Sequence, residues 1–453
     1  MKRNKIIITL ALLLMALPLR SAITGQWVQH PTFDNSTLKV IDTPSRTYFA
    51  GYNQTYNPLI TVKTSTDLTL FYYDKEGDEI VAAARVAPLS GNAIQKLEYN
   101  FRKNYLVILY DNYDIDLLYD NGNVVNIPAL RYAEIPGSKN VNNITFDFGH
   151  NGIWLATDFG YVIINDEKYE VEDSRNYGSP LSSALRLKDN VYLSTGTRTY
   201  FAPASDRRSS LSDYTVLDDY AGVSWMSAIS DDRMIVDFPQ GKNVNLVKYV
   251  AAAPDGLSQI TSHNFNGPVY ISPVKNGMML VVWQTAVYYA ADKNFVQSKS
   301  RPDDDAKYFA TASWDYNEFF TAAPRKGLRS HKQTDSGYTL TRDWMLPNAP
   351  NAYWSRGMAY HPKYGMLVNS HGVERIFSGS NINQLNEPIL LSALKDGLWT
   401  PMAPAYTNPE QTNTGIGPLG LAIDPIDNKY VWSGSNFSGM TRLNLEDHND
   451  ILH

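Results

Sequence analysis

The amino-acid sequence predicts an all-β fold: a β-propeller of about seven four-stranded blades, followed by part of a second propeller. Two observations lead to this prediction. Tyr (30 residues) and Trp (9) are abundant, and aromatic side chains favour the pleated, half-buried surface of a sheet. A short strand motif also recurs at intervals close to the roughly 40 to 50 residues that one propeller blade occupies.

The repeat is clearest in two stretches that align without a gap, IWLATDFGYVII (153–164) and VYLSTGTRTYFA (191–202). An aromatic residue stands second in each motif, and a small residue stands fourth. The same motif recurs, with looser copies included, at 47–51, 106–110, 233–238, 278–283, 307–311, 364–370 and 431–435. We interpret each copy as the inner strand of a blade, apolar because neighbouring sheets cover both faces, with its small residue near the crowded axis.

Turn signals rich in Gly, Asn and Asp lie between the motifs, as expected of hairpins. They occur at 119–123, 149–152, 275–277, 335–337 and 424–429. Helical periodicity is rare. The best candidate for a short helix is EPILLSALKDG (387–397), which a loop would also explain.

Residues 1–22 have the parts of a secretory signal peptide: a charged start, an apolar run over 6–19, and small residues for cleavage at Ser21 or Ala22. The apolar run falls short of the roughly 20 residues that a membrane-spanning helix needs, although an N-terminal membrane anchor is the alternative. No later segment is long and apolar enough to cross a membrane. We therefore expect an exported protein.

The composition excludes several classes of function. The sequence has no Cys, which rules out disulfides, thiol nucleophiles, Cys-ligated zinc and iron–sulfur clusters. A net charge of −6 without a basic block argues against nucleic acid as a partner. A hydrophobic content of 43% indicates a globular protein that is held together by its apolar core.

The repeats suggest two domains after the signal peptide. Residues 23–330 have room for about seven blades, and residues 331–453 look like the beginning of a second propeller. The chain ends without a strand that could complete this second fold, so we expect it to be truncated. Because a propeller ring must be sealed, the strand around Trp27 is predicted to pair with a blade from later in the chain.

One stretch partly matches the Asp box of sialidase-type propellers, QTDSGYTL (333–340). Three positions fit the box, namely Asp335, Gly337 and Thr339. Two positions depart from it, namely Gln333 and Leu340. Such a box is a hairpin turn in which the Asp side chain holds backbone N–H groups, so we interpret it as structural rather than catalytic.

Two acidic stretches have a functional and a structural interpretation. The three carboxylates of RPDDDAKY (301–308) could bind Ca²⁺, or they could form a solvated loop. Asp114 and Asp116 lie on one face of a strand, where exposed carboxylates at a blade edge would prevent pairing with another sheet.

Histidine and tryptophan residues give two further candidates. His361 and His371 flank a predicted hairpin and could ligate Zn²⁺, but the sequence supplies no third or fourth ligand. Trp27, Trp154 and Trp432 could stack on sugar rings; Trp154 and Trp432 stand at the aromatic position of the motif, which favours the core. The sequence therefore assigns no catalytic, metal-binding or cofactor-binding residue.

The course of residues 104–165 resembles the N-terminal propeller of PorZ-like proteins. The elements that carry the resemblance are Tyr110, Asn112, Ile115-Asp116-Leu117, Asn121-Gly122, Asn126-Ile127, Ser138-Lys139, Asn140-Val141-Asn142 and Thr157-Asp158-Phe159-Gly160. The stretch GQWVQH (25–30) resembles the Trp-and-His opening of that family, and residues 420–445 resemble the two-component-regulator propeller repeat. The likeness covers most of 25–200, then 355–445.

The resemblance implies a non-enzymatic exported scaffold, an accessory of bacterial type IX secretion and cell-surface cargo attachment, located in the periplasm or at the outer-membrane surface. Its partners would be proteins of the secretion machinery or a surface glycan. Two alternatives stay open. The same propellers form glycan-sensing ectodomains of hybrid two-component regulators, and a propeller can also be a polysaccharide hydrolase or lyase.

Overall fold

The structure is a computed structural model in which nearly all of the regular secondary structure consists of β-strands. It describes residues 37–54, 66–85, 87–91, 93–206, 208–240, 244–265, 269–274, 277–282, 287–290, 296–300, 309–313, 315, 317–323, 327–335, 337–345, 347–349, 354–371, 377–378, 381–382, 390–402, 418–435, 439–447 and 450–452. All of them lie in one compact unit, Thr32–His453.

The described residues form nine four-stranded antiparallel sheets, here called blades 1 to 9. Blade 1 consists of β1 (Thr37–Asp42), β2 (Arg46–Gln54), β3 (Thr66–Asp74) and β4 (Glu79–Ala82). Blade 2 consists of β5 (Ile94–Asn100), β6 (Tyr105–Tyr110), β7 (Ile115–Tyr119) and β8 (Val124–Ile127). Blade 3 consists of β9 (Val141–Asp147), β10 (Gly152–Thr157), β11 (Gly160–Asn165) and β12 (Glu170–Asn176). Blade 4 consists of β13 (Ser183–Leu187), β14 (Asn190–Ser194), β15 (Thr199–Pro203) and β16 (Thr215–Val216). Blade 5 consists of β17 (Trp225–Ser230), β18 (Arg233–Pro239), β19 (Asn245–Ala253) and β20 (Gly256–Phe265).

The later blades have the same plan. Blade 6 consists of β21 (Val269–Val274), β22 (Gly277–Val282), β23 (Val287–Ala290) and β24 (Val296–Ser300). Blade 7 consists of β25 (Phe309–Ala312), β26 (Glu318–Ala323), β27 (Gly327–Thr334) and β28 (Gly337–Met345). Blade 8 consists of β29 (Trp354–His361), β30 (Gly365–His371), β33 (Leu390–Lys395) and β34 (Leu398–Pro401). Blade 9 consists of β35 (Pro418–Ile423), β36 (Tyr430–Ser435), β37 (Gly439–Asn444) and β38 (Ile451–Leu452). A small ribbon, β31 (Phe377–Ser378) and β32 (Asn381–Ile382), interrupts blade 8 in sequence.

The first strand of each blade lies closest to the propeller axis. This follows from contacts between first strands of neighbouring blades: β1 contacts β5 and β25, and β13 contacts β9 and β17. The sequence motif lies one strand further out, on β2, β6, β10, β14, β18, β22, β30 and β36. The prediction that the motif marks the inner strand was therefore wrong, and the copy at 307–311 falls on a first strand, β25. The second strand is the apolar one because it has a neighbouring strand on both sides and a neighbouring blade on both faces.

Side chains of each second strand alternate between the two neighbouring blades. On β10, Ile153 and Leu155 pack against blade 2, whereas Trp154 and Ala156 pack against blade 4. The same alternation on β14 turns Tyr192 towards blade 5. The aromatic residue of the motif thus fills the space before the following blade, and burying each such side chain stabilises the fold by about 1.5–3 kcal/mol.

The ring closes by side-chain packing between blade 1 and blade 7. Phe49 and Phe71 of blade 1 share one buried cluster with Phe320 and Leu328 of blade 7. Lys75 places its ammonium nitrogen 5.8 Å from the centre of the Phe320 ring. We call this contact the seam. The prediction that the strand around Trp27 seals the ring concerns residues outside the described part of the chain.

Two features of the later chain differ from the sequence prediction. Residues 387–397, the candidate helix, contain strand β33 and its turn into β34. Asp396 and Gly397 both have positive φ (53° and 82°), the geometry of a tight hairpin turn, and Leu391 and Ala393 alternate onto the core of blades 8 and 9. The predicted domain boundary at 330 lies inside β27, so blade 7 extends to Met345.

We predict that Phe320→Ala lowers the free energy of unfolding by about 3–5 kcal/mol, because it leaves a cavity at the seam. Chemical denaturation followed by tryptophan fluorescence would measure the change. Tyr132→Ala, which truncates a side chain that is 71% exposed, is the control and should change stability by less than about 0.5 kcal/mol. Equal losses in the two variants would contradict a role of Phe320 in ring closure.

Candidate functional site on the connection face

One face of blades 2 and 3 carries most of the residues on which the family resemblance rests. In an antiparallel sheet, the turn after the second strand and the segment that joins one blade to the next lie at the same end. We call this end the connection face and the opposite end the turn face. On the connection face a one-turn helix, α1 (Ala129–Tyr132), lies between β8 and β9.

Asp116 is the centre of a buried polar cluster at the connection face of blade 2. It is 0% exposed, and its carboxylate accepts hydrogen bonds from the backbone N–H and hydroxyl of Ser90 (both 2.7 Å), the Tyr110 hydroxyl (2.8 Å) and the Asn126 amide (2.9 Å). Burial, reinforced by the negative charge of Asp116, raises the pKa of Tyr110 above its ordinary value, so the phenol stays a donor. The cluster ties three strands of blade 2 to the segment arriving from blade 1.

Asp114 is also buried, at 3% exposure, and it accepts hydrogen bonds from Arg131 (2.9 Å) and Asn126 (3.2 Å). The prediction that Asp114 and Asp116 are exposed edge carboxylates was therefore wrong. Their donors come from segments that are distant in sequence, and these donors compensate for the desolvation of both charges. The two carboxylates hold the connection face together instead of preventing pairing at an edge.

A second polar cluster joins blades 2 and 3. The Asp158 carboxylate accepts hydrogen bonds from the Ser138 hydroxyl (2.6 Å) and the Asn142 amide (3.0 Å). Asn142 also donates to the Leu181 carbonyl (3.0 Å), and so links this cluster to the segment that enters blade 4. The Ser138 hydroxyl, followed by the Asn142 amide, holds the pKa of Asp158 below its ordinary value.

Gly160 follows Asp158 and allows two backbone segments to approach closely. Its φ is +150°, and a Cβ atom built there would lie 2.0 Å from the carbonyl oxygen of Arg175. The Thr157 hydroxyl bonds to the Gly160 carbonyl (3.0 Å) and closes the turn. The Thr-Asp-Phe-Gly stretch of the motif therefore has a structural explanation: a hydroxyl that closes the turn, a carboxylate that receives donors and a residue without Cβ.

A cleft of about 580 Å³ lies beside these clusters, on blade 4. It is lined by Ser179 and Pro180 from the β12–β13 connection, by the β14–β15 turn, by Tyr200 and by Leu211. The sequence motifs did not predict a site at this place. The available signal was a difference between the two aligned motifs: the position of Gly160 in blade 3 is Arg198 in blade 4.

The other predicted candidates do not meet at one site. Thr334 pairs with Gly337, so Asp335 of the Asp-box stretch lies in a hairpin turn, as interpreted. The acidic stretch 301–308 and Trp27 lie outside the described residues. The part of the chain that the structure describes contains no group of three or more His, Asp or Glu residues arranged to hold a metal ion.

The two histidines stand at opposite ends of the β29–β30 hairpin, because His361 pairs with Gly365 and His371 pairs with Trp354. They are about 20 Å apart at the usual rise of a strand, which excludes a shared Zn²⁺. His361 is buried and uses both nitrogens: Nε2 donates to the Asn428 carbonyl (2.9 Å), and Nδ1 accepts from the Lys363 N–H (3.0 Å). It is a link between blades 8 and 9.

The structure describes two of the three candidate tryptophans, Trp154 and Trp432. Trp154 is 3% exposed and lies 4.9 Å from the Tyr161 ring, between blades 3 and 4. Trp432 is half-buried and donates its indole N–H to Asp424 (2.8 Å). The core interpretation is confirmed for Trp154, and Trp432 is held by a hydrogen bond. Within the described residues, no helix is long and apolar enough to cross a membrane.

Comparison with known proteins confirms the resemblance found in the sequence. The model of a family described as TSS9, PorZ, N-terminal beta-propeller domain matches residues 63–216. This segment includes blades 2 and 3 and both polar clusters of the connection face. No curated protein matches the chain.

Among solved structures, the chain is similar to PorZ, an essential bacterial surface component of the type-IX secretion system of Porphyromonas gingivalis, with a TM-score of 0.62 and 16% identity. The alignment covers 93% of this chain and 52% of PorZ, so the chain spans about half the length of PorZ, and the likeness shows the fold. Chains of the COPII outer coat vertex (TM-score 0.45, 10% identity, 75% of this chain and 97% of that chain) and of the mitotic checkpoint complex (0.41, 9%, 66% and 93%) are more distant.

We predict that Gly160→Ala destabilises the protein more than Gly137→Ala does. Both positions have positive φ, but a Cβ at Gly137 meets no atom within 4 Å, whereas a Cβ at Gly160 meets the Arg175 carbonyl oxygen. The matched pair separates backbone strain from the steric clash. Thermal unfolding measures both variants, and equal melting temperatures would contradict the close approach.

We also predict a pH-dependent effect of Ser138→Ala. A carboxyl whose pKa is lowered in the folded state stabilises the protein above its ordinary pKa of about 3.9, and this contribution is lost as the pH falls through the folded value. The difference in melting temperature between wild type and Ser138→Ala should therefore be larger at neutral pH than below about pH 3. Ser138→Thr keeps the hydroxyl and serves as the control. A difference that does not change with pH would disprove the role of Asp158.

Proposed function

We propose that the chain is an exported, non-catalytic propeller scaffold that serves bacterial type IX secretion by binding a protein partner on its connection face. The observation that carries this proposal is the family match over residues 63–216, because the residues that the family resemblance shares build that face. In this proposal residues 1–22 direct export, and the blades after Met345 begin a second propeller.

The chemistry of the connection face supports a scaffold. The carboxylates of Asp116 and Asp158 are engaged by several donors each, so they stabilise the backbone and are not poised to exchange a proton with a substrate. Blade-to-blade hydrogen bonds such as that from Asn142 to the Leu181 carbonyl hold the loops in fixed positions. A surface of this kind presents a pre-formed shape to a partner, which lowers the entropic cost of binding.

Tyr132 is the proposed contact on this face. It lies on α1, its side chain is 71% exposed, and the Arg131 guanidinium stands 5.4 Å from its ring. Arg131 is itself fixed by its bond to Asp114. Exposed Tyr and Arg side chains on a rigid support are typical of residues that dominate binding to another protein.

Deletion and complementation test this function. We predict that deleting the gene leaves type IX cargo unprocessed and detached from the cell surface, and that the wild-type gene restores both. Tyr132→Ala should restore them poorly. The matched control is Tyr169→Ala, which removes a 40% exposed tyrosine from the turn face and should restore both fully.

Two outcomes of the experiment are separable. Cargo processing is measured by immunoblotting of cell-surface fractions. Normal processing in the deletion strain would disprove the secretion role. A defect in the deletion strain that Tyr132→Ala complements as well as Tyr169→Ala does would keep the secretion role and disprove the assignment of the binding face.

A further inference from the structure

The cleft on blade 4 contains a cation whose charge is not balanced within the described residues. Arg198 is exposed and lines the cleft, and no described carboxylate forms an ion pair with its guanidinium group. Two neighbouring arginines differ from it: Arg175 is paired with Asp173 (2.8 Å) and Arg208 with Asp206 (2.9 Å). Arg198 is therefore available to an anion from outside the chain.

The turn that carries Arg198 is rigid. The Thr195 hydroxyl accepts a hydrogen bond from the Arg198 N–H (3.2 Å), and the Thr195 N–H donates to the Arg198 carbonyl (3.0 Å). The Thr197 carbonyl accepts from the Gly222 N–H (3.2 Å), which fixes the turn to the segment entering blade 5. A guanidinium group on such a support loses less freedom on binding than one on a flexible loop.

The walls of the cleft indicate the kind of anion. Ser179, Thr197 and Tyr200 contribute hydroxyl groups, and Pro180 and Leu211 contribute apolar surface. Leu211 begins a short 3-10 turn whose first N–H groups are capped by Ser210, so this wall is fixed as well. The cleft is open to solvent on one side and has a volume of about 580 Å³, enough to receive a short side chain or a chain terminus.

We propose that this cleft binds a carboxylate that carries a small apolar group, with Arg198 on the carboxylate and Leu211 and Pro180 on the apolar part. The planar guanidinium fork matches the two oxygens of a carboxylate. One cation balances one negative charge, which favours a carboxylate over a doubly charged phosphate. The carboxylate can come from the C terminus of a peptide or from an acidic side chain, and the inference does not depend on the role in secretion.

The cleft distinguishes blade 4 from blade 3. In the gapless alignment of the two motifs, Arg198 takes the position of Gly160. In blade 3 this turn lies under the 138–142 segment, whose side chains bond to Asp158. In blade 4 the equivalent turn lines a cleft instead.

Calorimetric titration of the full chain with three short peptides tests the proposal. The probes are acetyl-Ala-Leu with a free C terminus, the same peptide with an amidated C terminus, and acetyl-Ala-Glu-Ala amide. We expect saturable binding of the free acid and none of the Ala-Leu amide. Arg198→Gln should weaken binding by about tenfold or more. The control is Arg233→Gln, which changes an exposed arginine at the start of β18 on the turn face and should leave binding unchanged.

The three probes also identify the source of the carboxylate. Binding of the free acid but not of the Glu peptide supports recognition of a chain terminus, and the reverse supports an acidic side chain. Saturable binding of the Ala-Leu acid and amide with equal affinity, no saturable binding of any probe, or unchanged affinity in Arg198→Gln would overturn the proposal. Acetate, a carboxylate without a larger apolar group, serves as a fourth probe. Leu211→Ala should weaken binding of the Ala-Leu acid more than binding of acetate, and equal effects would contradict the apolar part of the assignment.

Discussion

The packing of each second strand against both neighbouring blades is the contact on which the rest of the structure depends. In β10 the side chains alternate, so that Trp154 belongs to one inter-blade core and Leu155 to another. A blade alone would leave both of these faces in water, and its burial comes entirely from its neighbours. The loops of the connection face are fixed in space because the strands beneath them are fixed in this way.

The polar residues of the connection face build on that apolar frame. Asp116 lies near the start of β7, where the segment from blade 1 arrives, and Asp158 lies in the turn after β10, beside the segment from blade 2. Both carboxylates accept hydrogen bonds from these segments. This explains why the family resemblance concentrates in one stretch of the chain. The strands themselves can exchange one apolar residue for another, whereas each donor and acceptor at these junctions has a particular partner.

The repeat and the all-β propeller class could be predicted from the sequence because a blade is built from strands close together in the chain. The position of the motif strand within its blade could not be predicted. The copies have the same spacing whichever of the four strands carries the motif. The burial of Asp114 and Asp116 depends on Ser90, Asn126 and Arg131, which no local pattern connects to them. The stretch that contains β33 was predicted as a short helix or a loop, because a brief apolar run does not distinguish a strand from a helix. The cleft could not be predicted because its other walls, such as Pro180 and Leu211, come from segments outside the turn that carries Arg198.

The seam between blades 1 and 7 has a consequence for how the ring forms. Strand pairing within each blade in the described residues is local, so its chain-entropy cost is small, but the contact between Asp78 and Arg342 joins residues 264 positions apart. Contacts of such separation form late, after the local sheets exist. We therefore expect the seam to assemble after the individual blades and to open before they unfold, which would make an opened ring of intact blades the form most exposed to proteases.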